Sequence, residues 1–265
     1  MTTSIAQQDD AALGGPVSIL TLQRRDHVRL DHLMDRSRAT LATGGREHEV
    51  ALRALARLVF THAFAEEAVL FPAARRVLPE GDPLSLHIEQ EHQEVDELVA
   101  RLDRSDARDP EHAELMERAF AALDEDVRSE EDELLPRLQE ELSPWQLRLL
   151  GLQWGLLRLT SPTRPHPVVS RRPPGQVLSA LPLTVLDRAR DRFQQVGELL
   201  GGRGAGALRV VDDALAGAAG AVERLPIIRT GERPETSRGP APDRERSDDV
   251  APVSHPDETR TVRPG

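Results

Sequence analysis

The sequence predicts an all-α protein: an up-down-up-down four-helix bundle with additional C-terminal helices and a disordered tail. Three observations lead there. Aromatic residues make up 3% of the chain and Tyr is absent, so the core must come mainly from Leu, Val and Ala, which suits helices better than sheets. Apolar residues recur at helical spacing from Ser18 to Leu159. Helix-start signals, Asp82-Pro83, Asp109-Pro110 and Ser143-Pro144, divide that region at regular intervals.

Residues 1–16 read as a flexible N-terminal arm. A first helix is predicted from about Ser18 to Leu41, with Leu20, His27, Leu30, Leu33 and Met34 near one face, closed by Thr43-Gly44-Gly45. A second starts near Glu47 and carries Leu52, Leu55, Leu58, Val59, His62, Glu66, Val69 and Leu70; Pro72 is expected to bend it or end its regular part. The third runs from Asp82 to about Leu102 and the fourth from Asp109 to about Leu142. A short fifth spans Trp145 to Leu159. Helices of this length on short polar links fold back on one another, so residues 17–160 form one unit. A Pro- and Arg-rich linker at 161–175 leads to a small helical extension, 176–228, with stretches at about Leu183–Leu200 and Ala207–Leu225. Residues 229–265 are polar and charged and read as the disordered tail.

Composition narrows the function. Lys and Arg total 34 against 45 Asp and Glu, a formal charge of -11, which argues against a nucleic-acid partner. Cys is absent, so any metal must be held by imidazole and carboxylate, ligands that suit iron, manganese or zinc. Met1 to Gly15 shows no basic patch followed by an apolar run, and no stretch approaches 18 uninterrupted apolar residues. The expectation is a cytoplasmic protein with no signal peptide and no membrane partner.

The most informative feature is an internal repeat. Asp26-His27-Val28-Arg29-Leu30-Asp31-His32-Leu33 aligns with Glu91-His92-Gln93-Glu94-Val95-Asp96-Glu97-Leu98. Glu66-Glu67 precede Leu70-Phe71-Pro72, as Glu130-Glu131 precede Leu134-Leu135-Pro136. Ten residues before each proline stands His62 in one copy and Asp126 in the other. Two such hairpins around a pseudo-twofold axis place His27, His62, His92 and Asp126 around one centre. Residues four apart share a helix face, so His62 with Glu66, and Asp126 with Glu130, point inward together. Carboxylates in a bundle core are costly unless paired or metal-bound, and two inward glutamates can each bridge two cations.

The bland alternatives are buried histidines bonded to carboxylates, an exposed His62–Glu66 pair, and a solvated acidic run at Ser129 to Glu133. Against the last, Leu123, Val127, Leu134 and Leu138 mark the apolar stripe on which Glu130 falls. Glu67, Glu131 and Glu133 are expected to face solvent, and His32 and His87 to lie at the surface or just outside the ligands. Asp31 and Asp96 read as interhelical or outer partners of the ligands. His48, His112, His166 and His255 receive no chemistry. Trp145 and Trp154 are expected to anchor the fifth helix.

From roughly Val17 to Pro167 the chain resembles the hemerythrin-like, HHE cation-binding family. The resemblance rests on Asp26-His27, on His62-Ala63-Phe64-Ala65-Glu66-Glu67 leading into Leu70-Phe71-Pro72, on Glu91-His92-Gln93-Glu94-Val95, and on Glu130-Glu131 leading into Leu134-Leu135-Pro136. Pro162-Thr163-Arg164-Pro165-His166-Pro167 is also similar to the tail of bacterial members. The resemblance implies a non-haem di-iron site in a four-helix bundle, with His27, His62, Glu66, His92 and Glu130 at matching ligand positions. The family usually has His where this chain has Asp126, which implies a site richer in carboxylate. The function implied is a metal-binding protein that binds or senses oxygen, peroxide, nitric oxide or iron, with a small diatomic or peroxide as its partner. The alternatives are a di-iron oxidase or peroxide-consuming enzyme, and a metal-free helical interaction module. The oligomeric state is left open.

Overall fold

Capping and proline positions set where the helices begin. In the computed structural model, which describes residues 3–43, 45–164, 166, 169–200, 202–231 and 233–236, Asp109 accepts a bond from the Glu111 N–H and Ser143 forms a capping box with Gln146. The regular elements among these residues are all helical. They are α1 (Ile19–Leu41), α2 (Gly45–Ala65), α3 (Phe71–Val77), α4 (Gly81–Leu102), α5 (Pro110–Arg128), α6 (Leu135–Glu141), α7 (Pro144–Arg158), α8 (Gly175–Leu200) and α9 (Gly202–Glu223), with short 3₁₀ turns at Ile5–Gln7 and Pro226–Arg229. Gly44, expected in the turn after α1, and the tail from 237 onward lie outside the described residues. None of these helices is long and apolar enough to cross a membrane.

The regular part of the second helix ends ahead of Pro72, at Ala65, but the chain stays helical. A π-helical turn, Glu66–Leu70, joins α2 to α3, and a second, Ser129–Leu134, joins α5 to α6 before Pro136. The physical cause is the proline. It has no N–H to return to the carbonyl four residues back. The preceding N–H reaches five residues back instead, Phe71 to the Glu66 carbonyl and Leu135 to the Glu130 carbonyl. The internal repeat therefore extends to the backbone.

α1 packs on α2, α4 on α5, and α3 on α4 and α6, while α7 covers α1 and α2. Two apolar clusters result. One holds Ile19, Leu20, Leu70, Phe71, Ile88, Leu134, Leu135 and Trp154. The other holds Leu30, Met34, Leu55, Leu58, Val95, Val99, Phe120 and Leu123. Each of the four long helical runs passes from one cluster to the other, and the predicted metal residues fall between the two. Residues 3–16 do not run free as expected of an arm: Ile5 and Leu13 are fully buried in the first cluster. The turn before α1 closes with Gly15 at φ 101°, a conformation open to glycine. At Gly151 a Cβ would meet the Val17 carbonyl oxygen at 2.1 Å, so glycine lets α7 sit against the start of α1.

The first helix of the extension begins earlier than predicted, at Gly175 rather than at about Leu183, and α8 passes through Pro182. It is tied to the stretch after α7 by Asp187, which is fully buried and accepts the backbone N–H groups of Thr163 (2.9 Å) and Arg164 (3.1 Å). His166 bridges Asp187 on α8 (3.1 Å) and Glu223 on α9 (2.7 Å). Burial works against charge on this imidazole, but the two carboxylates prevail and raise its pKa to about 9. Because the folded value lies above the unfolded one, the stabilisation is full below pH ~6.5 and is lost as pH rises through about 9. The melting temperature of the wild type should fall between pH 7 and 9.5 by more than that of His166→Gln; parallel curves for the two would refute the clamp.

Candidate metal centre

Between the two apolar layers, α1, α2 with its π turn, α4, and α5 with its π turn each send polar side chains inward. His27, Glu66, His92, Asp126 and Glu130 are buried, and His62 is nearly so. Three imidazoles present Nε2 to a common space: His27 Nε2 lies 3.3 Å from His62 Nε2. Glu130 Oε2 is 3.1 Å from His27 Nε2 and 3.9 Å from His62 Nε2, while its Oε1 is 3.7 Å from His92 Nε2. Glu66 spans the same gap, with Oε1 3.1 Å from His62 Nε2 and Oε2 3.6 Å from His92 Nε2. Asp126 Oδ1 stands 3.4 Å from His92 Nε2. The structure thus brings together all six residues singled out from the sequence. Two compact ligand groups emerge, His27–His62–Glu130 and Glu66–His92–Glu130, each with its donor atoms within 4.8 Å of one another.

The opposite nitrogen of every imidazole meets a carboxylate. Nδ1 of His27 lies 2.8 Å from Glu131, Nδ1 of His62 3.2 Å from Asp26, and Nδ1 of His92 2.9 Å from Glu67. A proton on Nδ1 donated to these acids leaves the Nε2 lone pair free for a cation, the tautomer that metal-binding histidines need. Asp26 is in turn paired with Arg158 on α7 at 2.5 Å. Glu67 is paired at 2.7 Å with Arg171, a buried residue between α7 and α8 that also pairs with Asp96. Gln23 donates to Glu66 Oε1 at 2.5 Å and Gln176 to Glu67 at 2.9 Å. The ring of Trp154 meets His62 edge-on at 5.6 Å, and Phe71 stacks on His92 at 5.6 Å.

Glu67 and Glu131 therefore do not face solvent as expected. Glu67 is buried and Glu131 is only partly exposed. The prediction assumed about 100° of rotation per residue throughout. The π turns widen the helix at these positions, so adjacent glutamates both turn inward. The doubled Glu-Glu pair ahead of proline was the available signal. Glu133, His32, His87 and Asp31 are exposed, while Asp96 pairs with Arg171 of the stretch between α7 and α8 and so backs the centre from outside. Trp154 is buried, whereas Trp145 is 67% exposed and anchors nothing. His48 and His112, which drew no assignment, are buried and pair Nε2 to Nε2 at 2.9 Å near the start of α2 and α5. Arg158 and Arg171 were also missed.

The electrostatics of the cluster call for positive charge. Burial disfavours charge on His27, yet Glu130 and Glu131 outweigh it and hold its pKa at about 9. Against the same burial, neighbouring carboxylates push His62 and His92 well above the ordinary histidine value. Burial, aided by nearby carboxylates, raises Glu66 and Asp126; the three imidazoles overcome it at Glu130 and hold that carboxyl well below the usual range. Glu66 Oε2, His92 Nε2, Asp126 Oδ1 and both carboxylate oxygens of Glu130 are buried without a hydrogen-bond partner. Five orphaned donor atoms facing one gap are a large desolvation penalty that a cation would offset. The donor set, imidazole nitrogen and carboxylate oxygen with no thiolate, fits iron, manganese or zinc.

An all-helical domain with a buried imidazole–carboxylate cluster of this kind defines a cation-binding class. The hemerythrin HHE cation binding domain matches residues 18–138, which span α1 to most of α6, so this stretch is similar to a cation-binding domain. No curated protein and no solved structure shows significant similarity to the chain.

Removing Arg171 tests the outer shell. Arg171→Met leaves Glu67 and Asp96 buried without their cation and should destabilise the fold by about 3–5 kcal/mol in urea denaturation. Arg108→Met, at an exposed arginine, should leave the midpoint unchanged. Equal midpoints for the two variants would show that Arg171 does not neutralise the cluster.

Proposed function

We propose that the chain is a non-haem di-iron protein, built as an up-down-up-down bundle, that binds or senses oxygen, peroxide or nitric oxide. The observation that carries this reading is the set of five unpartnered ligand atoms that three helical runs bring together beside the imidazole of His27 on α1. His27, His62 and one oxygen each of Glu66 and Glu130 would hold one ion. His92 and Asp126, with the same two glutamates, would hold the other. The alternation of the long helices between the two apolar clusters supports the bundle order.

Bound iron would supply a centre that exchanges electrons and takes up a small oxidant. The chain's own residues fix what can reach it. Beside His27, His62, His92 and Asp126 lies a cavity with about 20 Å³ of room for water-sized molecules, walled by Leu30, Leu58, Val59, Val95, Leu123 and Val127. That is space for one water or diatomic molecule, and its walls offer few hydrogen bonds. A bulky organic substrate does not fit. Asp26, Glu67 and Glu131 hold the three imidazoles in register through Nδ1, so the Nε2 atoms need not reorient when a cation enters.

Protein purified without chelators after iron supplementation should contain close to two iron ions per chain, and chelation should lower its melting temperature by several degrees, because a metal bound only by the folded state adds stability. Trace metal content with an unchanged melting temperature would defeat the reading. Asp126 adds an anionic donor where the family usually has His, which favours the ferric state. Asp126→His should raise the midpoint potential of the loaded protein; equal potentials in a redox titration would remove Asp126 from the ligand set.

A further inference from the structure

α7 lies outside the matched domain and is apolar on two sides. Leu147, Gly151 and Trp154 face the first apolar cluster and are buried. On the opposite side Trp145 is 67% exposed, Leu149 40%, Leu152 53%, Leu156 68% and, at the C-cap, Leu159 67%. These five follow one another at intervals of four, three, four and three residues, the seam by which one helix packs against another. No Asp or Glu interrupts α7. A helix with two apolar faces belongs between two packed layers, yet one of these faces meets water in the single chain.

We propose that this stripe is a twofold interface with a second copy of the same chain. The five side chains alone present roughly 600 Å² per copy, taking a free leucine or tryptophan as about 200–250 Å², against the ~800 Å² per partner of a stable pair. The groove at the end of the stripe, lined by Val69, Pro72, Leu156 and Val177, supplies further apolar surface for side chains of the second copy. At Gly155 on α7 a Cβ would meet nothing within 4 Å, so the backbone there is open to close approach. The chain's own tail is a poor occupant. Residues 237–265 contain Val250, Val253 and Val262 as their only large apolar side chains. A second α7 carries a matching seam, and an isologous contact satisfies both at once. The contact also braces the helix whose other face sets Trp154 against His62 and Arg158 against Asp26. The pairing is independent of whether the buried cluster takes iron.

The test is sedimentation equilibrium of the full chain. The wild type should be a dimer, and Leu152→Glu with Leu156→Glu should raise the dissociation constant at least about a hundredfold while far-UV circular dichroism keeps the helix content. The chain has no Cys, so Leu152→Cys gives a clean second readout. It should form an intermolecular disulfide on mild oxidation, whereas Val210→Cys, at an exposed site on α9, should not. A wild type monomeric at high micromolar concentration would overturn the proposal. So would a dimer that survives the double glutamate variant, or equal cross-linking at the two cysteine positions. Capture of a monomeric wild type by phosphatidylcholine vesicles, lost in the double variant, would assign the stripe to a lipid surface and equally overturn it.

Discussion

Glu66 and Glu130 are fully buried at the middle of the helical array, and the structure around them is arranged to make that tolerable. Two carboxylates removed from water, with Glu130 close enough to raise the proton affinity of Glu66, are among the least favourable contents of a protein interior. Three imidazoles stand against them on one side, and Gln23 donates to one. Beyond the imidazoles, Asp26, Glu67 and Glu131 fix the rings. The apolar layers above and below keep water out, which strengthens every charge interaction inside and makes the demand for a cation acute.

Neutralisation is completed from outside the matched domain. Arg158 comes from α7 and Arg171 from the stretch leading to α8, and each backs an acid that holds a histidine. The third acid, Glu131, is partly exposed, so solvent screens it instead. The two halves of the repeat therefore differ electrically although their backbones match. The His92 half carries the extra carboxylate of Asp126, with Arg171 close behind it through Glu67. The segment read as a linker is in this respect part of the centre.

Much of the centre was legible before any coordinates. The spacing of His62 with Glu66 and of Asp126 with Glu130 places each pair on one face, and the repeat doubles the evidence for His27 and His92. The helix starts at Asp109 and Ser143 were readable from local capping chemistry. What failed were inferences that carried a regular helical phase into the π turns ahead of the prolines. Glu67 and Glu131 were placed on the wrong side for that reason, because a π turn changes the phase without changing the residue types. The buried His48–His112 pair was invisible for another reason: its members lie 64 residues apart and touch because α1–α2 and α4–α5 are hairpins of similar build.

By itself the sequence determined the helices, their polarity and which candidate ligands share a helix face, because these depend on spacing within single helices. The tertiary structure decided which acids orient the imidazoles, where Arg158 and Arg171 deliver their charge, that Ile5 and Leu13 close the core, and that one side of α7 is left uncovered among the described residues. Those outcomes turn on where separate segments meet in space, and contacts between distant segments are fixed by packing and desolvation of the whole chain rather than by any local pattern.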